Sequence, residues 1–140
     1  MTAGADGTTI DGMSDERIQR IIESMRDKSY LPKPARREYI AKKNSNKKRP
    51  LGIQSGNDKL VQEVVKMILE SIYEPVFKKT SHGFRPNKSC QTALYQIQKT
   101  FTGTNWFVEG DIHACFDSFN HQTIIRLLRK RIDDEMFLQL

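Results

Sequence analysis

From Leu60 to Tyr73 the residues Leu60, Val61, Val64, Val65, Ile68, Leu69, Ile72 and Tyr73 place apolar side chains at i, i+1, i+4, i+5. Sustained over four turns, that spacing fits an α-helix with one buried stripe and no strand. It predicts a helix over about residues 57–73, ended by Pro75. A second helix is expected over about 15–27, capped by Ser14 or Asp15, with Ile18, Ile21, Ile22 and Met25 on one face. A third is expected over about 89–101, with Ala93, Leu94, Ile97 and Phe101 on its apolar side. Trp106 to Ile112 reads as a strand with both faces partly buried. Asn120 is placed to cap a further helix, and another should begin near Asp133. Residues 1–13, rich in Gly, Thr and Asp, read as a loop or a frayed start.

The 140 residues suit one modest domain or part of a larger one. Hydrophobic content of 37% with 29% charged residues is too apolar for wholesale disorder. The net charge of +6 favours a polyanionic partner, because Lys and Arg displace counterions condensed on phosphates. No apolar run approaches the ~18–20 residues of a membrane span, and the start carries no secretory signal pattern. Cys90 and Cys115 are isolated, with no CxxC pair or His cluster for zinc. The expectation is a cytoplasmic protein with no disulfide and no membrane contact.

Residues 36–54 read as a β-hairpin turning at Asn44-Ser45-Asn46. Seven basic residues (Arg36, Arg37, Lys42, Lys43, Lys47, Lys48 and Arg49) stand there against the single acid Glu38. A charge run is commonly just a solvated face. The functional alternative is an arm that carries cations to a triphosphate or a nucleic-acid backbone, with Arg making bidentate contacts and Lys a point charge. Asp111, near the end of the apolar strand, suits a divalent cation, though by itself it fits a turn-capping aspartate better. In Ser81-His82-Gly83-Phe84-Arg85-Pro86, stacking on Phe84 and a phosphate contact by Arg85 are the functional alternative. A place in the core fits Phe84 better, as large aromatics are usually buried, while Arg85 is expected on a phosphate. His82, His113 and His121 are not spaced as a ligand triplet.

Four blocks in order resemble bacterial group II intron reverse transcriptases over nearly the whole chain. They are Arg49-Pro50-Leu51-Gly52-Ile53, then Leu69 through Phe77 (LESIYEPVF), then Ser81 through Pro86, then Glu109 through Asp117 (EGDIHACFD). Retrons and diversity-generating retroelements share the Asp111 region, but the Gly-Phe-Arg-Pro and Ile-Tyr-Glu-Pro blocks favour the group II type. Ala41, Gln54 and His113-Ala114 depart from the family's usual Pro, Pro and Lys-Gly.

The resemblance implies an α/β (α+β) fold: a fingers subdomain of basic hairpin and packed helices, then the first strand and helix of the palm of a right-hand polymerase. Its expected divisions are an N-terminal loop (1–13), fingers (14–104) and the beginning of an incomplete palm (105–140). It implies RNA-directed DNA polymerase activity, with intron RNA as template, a DNA primer, dNTPs and Mg²⁺, and RNA binding that aids splicing. Asp111 would be the first metal aspartate, joined by the Ile112 carbonyl. Backbone N–H groups of Ala114 and Cys115 would face the triphosphate. Phe116 would be the steric gate against a ribose 2′-OH. Lys42 (or Lys43) and Arg49 would clamp the triphosphate, and Arg85 would lie along the template track. Arg36, Arg37, Lys43, Lys47 and Lys48 would contact nucleic acid. The Tyr-Ala-Asp-Asp turn that brings the other metal aspartates is not in this sequence. The expectation is therefore a chain that binds RNA without polymerising alone, with an open sheet edge through which it would pair with a second copy.

Overall fold

The computed structural model describes residues 2–43 and 46–140. In chain order come α1 (Asp15–Arg26), the strands β1 (Arg36–Ala41) and β2 (Lys48–Ile53), α2 (Gly56–Tyr73), a 3₁₀ turn (Glu74–Val76), α3 (Cys90–Thr100), α4 (Cys115–Ser118), α5 (His121–Leu128) and α6 (Glu135–Leu138). The packing divides into two compact units, one running to Ser71 and the other spanning Ile72–Leu140.

In the first unit, Ser14 caps α1 by accepting a bond from the Arg17 N–H, and Ile21 is the buried residue of that helix. In α2 the buried apolar residue is Val61, while Val64, Met67 and Ile68 of the same helix are exposed. The expected apolar stripe is thus fully buried only near the N-terminal end and half-buried at Val65, Leu69, Ile72 and Tyr73. Two polar residues share the interior there. Ser55 is 1% exposed and Asp58 2%. A buried carboxylate needs partners, and Asp58 has two: the Tyr30 hydroxyl, and the Lys33 backbone N–H at 2.9 Å. The link between α1 and β1 is thereby tied to the first turn of α2.

The N-terminal segment is an anchored loop, which corrects the frayed alternative. Gly4 is buried, and a Cβ there would stand 2.6 Å from Ser55 Cα; a Cβ on Gly56 would stand 2.3 Å from the Thr9 carbonyl oxygen. Only glycine permits either approach. The Gly56 N–H then donates to Thr8 Oγ1 at 3.0 Å, and Arg17 reaches both the Thr9 carbonyl (3.0 Å) and Asn57 Oδ1 (2.7 Å).

In the second unit, Ser89 and Thr92 form a capping box at the start of α3. Asn120 caps α5 and Asp134 caps α6. Ile132 and Leu138 are buried. The strand expected over 106–112 is not formed. Those residues carry no regular structure, with Trp106 92% and Val108 100% exposed. A strand is stable only when its backbone groups pair with a neighbour, and among the described residues β1 and β2 pair only with each other. The exposed apolar surface expected in this part of the chain is present at Trp106, Phe107, Val108, Ile112 and Phe116.

Candidate nucleotide and nucleic-acid site

The hairpin pairs antiparallel, in the register Arg36↔Ile53, Arg37↔Gly52, Glu38↔Leu51, Tyr39↔Pro50, Ile40↔Arg49 and Ala41↔Lys48. The Lys42 N–H donates to the Lys47 carbonyl at 3.1 Å and continues the ladder toward the turn. The turn residues Asn44 and Ser45 lie outside the described residues. Because side chains alternate along a strand, this register gives the hairpin two different faces. Arg36, Glu38, Ile40, Arg49 and Leu51 share one. Arg37, Tyr39, Ala41, Lys48 and Pro50 share the other.

A pocket of about 520 Å³ lies against the hairpin, lined by Ile40, Ala41, Lys42, Lys43, Arg49 and Leu51. Three cations beside three apolar side chains suit an anionic group attached to a less polar body. Sequence reasoning had named Lys42, Lys43 and Arg49, and the structure brings all three to this pocket. Arg36, expected on nucleic acid, has other partners: its Nε donates to the Ala3 carbonyl at 3.1 Å, and its Nη1 pairs with Glu38. It fastens β1 to the N-terminal loop.

Arg85 and Phe84 exchange the places expected of them. The Arg85 side chain is only 10% exposed. Its Nε donates to both carboxylate oxygens of Glu74, at 3.2 and 3.0 Å. Its Nη2 donates to Glu74 Oε1 (2.7 Å) and to the Glu74 carbonyl (3.5 Å), and its Nη1 to the carbonyls of Lys78 and Ser81 (both 2.9 Å). The guanidinium also lies 5.1 Å from the Phe77 ring centre. A guanidinium has five N–H donors, and all are engaged within the protein. The template contact expected of Arg85 would have to break this clamp. The hydrogen bond from Arg85 holds the Glu74 carboxyl below its ordinary pKa, and the same bond raises that of Arg85. Glu74 carries no signal of this role in the sequence beyond its place in the Leu69–Phe77 family block. Phe84, expected in the core, is fully exposed. The clamp turns the chain so that Arg85 faces inward and its neighbour outward.

Asp111 and Ile112 lie in the irregular segment, and both are exposed. Ala114 adopts a left-handed conformation (φ 48°, ψ 47°) immediately before α4, whose first residues are Cys115 and Phe116. Cys115 is half-buried, and Phe116 is 90% exposed. Among the described residues no three His, Cys, Asp or Glu side chains converge to hold a metal ion. One carboxylate and one carbonyl are too few oxygens to replace the water of Mg²⁺, so the residues present do not by themselves fit that ion. Asp111 belongs to the second unit, Lys42 and Arg49 to the first. No helix among the described residues is long and apolar enough to cross a membrane.

A family model described as reverse transcriptase (RNA-dependent DNA polymerase) matches residues 40–138. The chain belongs to the reverse transcriptase family. It is 56% identical over 139 residues to the group II intron-encoded protein LtrA of Lactococcus lactis subsp. cremoris, covering 99% of this chain and 23% of LtrA. It is 49% identical over its whole length to an uncharacterized 91 kDa protein in the cob intron of Schizosaccharomyces pombe, spanning 17% of that protein. It is 32% identical over 124 residues, 89% of this chain, to nuclear intron maturase 2 of Arabidopsis thaliana, spanning 16% of it. The chain therefore spans less than a quarter of the length of these relatives. The resemblance read from the four blocks is borne out, and the hairpin with its helices is consistent with the fingers of a reverse transcriptase.

Proposed function

We propose that this chain is the nucleotide-gripping, template-facing portion of a bacterial, cytoplasmic group II intron reverse transcriptase that copies intron RNA into DNA from a primer. The observation that carries the reading is the hairpin pocket, where Lys42, Lys43 and Arg49 converge. These cations would neutralise a dNTP triphosphate, with the less polar wall against the rest of the nucleotide. In the complete enzyme, residues 14–104 would be fingers and 105–140 the start of the palm. The segment 106–112 would become a strand once neighbouring strands pair with it. Asp111 and the Ile112 carbonyl would then contribute oxygens to an Mg²⁺ shell needing further donors from outside these 140 residues. The left-handed Ala114 followed by helical Cys115 is a backbone form that makes an anion nest. That form supports a phosphate contact by their N–H groups, beside Phe116 as steric gate.

The test is titration of the chain with a fluorescent dNTP analogue. Changing Lys42, Lys43 and Arg49 together to Ala should weaken binding at least roughly ten-fold, as loss of charge-assisted contacts requires. Equal affinity in the triple variant overturns the reading. The 140 residues alone should not extend a primer. Robust extension on an RNA template that disappears in Asp111→Ala would contradict this.

A second reading, RNA binding that assists splicing without chemistry, has its own support. Arg37 and Lys48 stand on the hairpin face opposite Arg49, so one ribbon can serve a nucleotide and an RNA backbone at once. Each removal there should lower the slope of log K against log salt by about 1.

A further inference from the structure

Between Lys78 and Lys88 the chain carries Lys78, Lys79, Arg85 and Lys88 and no acid. The loop is held at several points. Arg85 clamps it to Glu74 and to the Lys78 and Ser81 carbonyls. His82 bonds Thr92 Oγ1 (2.8 Å) and Gln96 Oε1 (2.7 Å) of α3. The Lys88 N–H donates to the Arg85 carbonyl at 3.2 Å. At the crest of this pinned loop, Phe84 has φ 53° and is fully exposed. Both features run against its nature. A bulky side chain rarely adopts the left-handed region, and a large aromatic is usually covered. Gly83, adjacent and in open space, would have taken a positive φ without strain. A strained residue that its surroundings hold in place points to use.

We propose that Phe84 is a stacking platform for an unpaired nucleobase of RNA, on a loop whose lysines face the flanking phosphates. The argument is charge complementarity joined to ring exposure. A cationic loop repels a basic partner and attracts a polyanion. A flat exposed ring offers a π-face that any unstacked base can use. A duplex hides that face inside its own stack, so the occupant is single-stranded. Arg85 acts here as a positioning residue: it turns the ring outward and leaves the phosphates to Lys78, Lys79 and Lys88.

The proposal rests on the reading that the chain binds RNA, and the experiment separates the two. The full chain is titrated with a short unstructured RNA oligonucleotide carrying one fluorescent purine analogue, and affinity, quenching and thermal midpoint are recorded. Wild type and Phe84→Trp should quench the analogue. Phe84→Leu and Phe84→Gly should lose the quench and bind roughly ten-fold more weakly. Glycine suits the left-handed backbone, so the Gly variant should melt no earlier than wild type. If wild type binds no RNA, both readings fall. If wild type binds and Phe84→Leu quenches equally, this proposal alone falls. A lowered midpoint in both the Leu and Gly variants would mean that the ring packs within the fold, and would overturn it as well.

Discussion

Replacing Tyr30 by Phe removes a single hydroxyl, and the structure fixes what that removal costs. Asp58 is 2% exposed, so its carboxylate cannot recruit bulk water when a donor disappears. The Lys33 N–H remains on Oδ2 at 2.9 Å, while Oδ1 loses the Tyr30 hydroxyl. A hydrogen bond to a charged group contributes about 1.5–3 kcal/mol. Tyr30 itself is half-buried, which favours the lower half of that range, about 2 kcal/mol. With a urea m-value of about 2 kcal/mol/M for a small protein, the unfolding midpoint should fall by about 1 M, with m unchanged. Amide exchange should quicken at Lys33 and at the first turn of α2, because the variant loosens the point where the hairpin is mounted. The pH dependence gives an independent check. Burial, and then the hydrogen bond to Asp58, hold the Tyr30 hydroxyl protonated well above its ordinary 10.0. The folded state therefore keeps a proton that the unfolded state loses near pH 10, so this contribution is complete below that pH and is lost as pH rises toward the folded value. Wild type should weaken above pH 10 more steeply than Tyr30→Phe. A midpoint shift under about 0.2 M, or parallel alkaline limbs, would refute the argument.

Other expectations concern the remaining anchors. Gly56→Ala sets a methyl 2.3 Å from the Thr9 carbonyl oxygen and 2.8 Å from Arg17 Nη2. Backbone cannot yield as a flexible side chain does, so a loss of about 2–3 kcal/mol is expected in urea unfolding. Because Arg85 depresses the Glu74 pKa, their pairing stabilises fully above the ordinary carboxyl value of 4.5 and is lost as pH falls through the lower folded one. Exchange protection of the 78–88 loop should fade over that acid range in wild type and show no such step in Glu74→Gln. Ser89→Ala removes the capping-box acceptor of α3 and should lower stability by about 1 kcal/mol with the helix otherwise intact by circular dichroism.

Local order was written in the chain itself. The period from Leu60 to Tyr73, the caps at Ser14 and Asn120, and the basic segments flanking Asn44–Asn46 each specify an element through interactions a few residues apart. The four family blocks carried identity in the same direct way. The hairpin cations were legible as a group, but only the strand register sorted them, placing Arg49 on one face and Arg37 and Lys48 on the other. Tertiary contacts alone decided the rest. Trp106 to Ile112 has the composition of a strand, yet a strand exists only through a paired neighbour, and composition does not supply one. Phe84 and Arg85 were read inside and outside by their types. The Glu74 carboxylate and three carbonyls reversed them, because a guanidinium with every donor engaged can be buried and then dictates which way the next side chain faces. Gly4 stands in a segment that reads as loop, and only the fold brings other backbone within a Cβ's reach of it and of Gly56. Burial, pairing and orientation depend on segments distant in sequence, and residue types alone do not encode them.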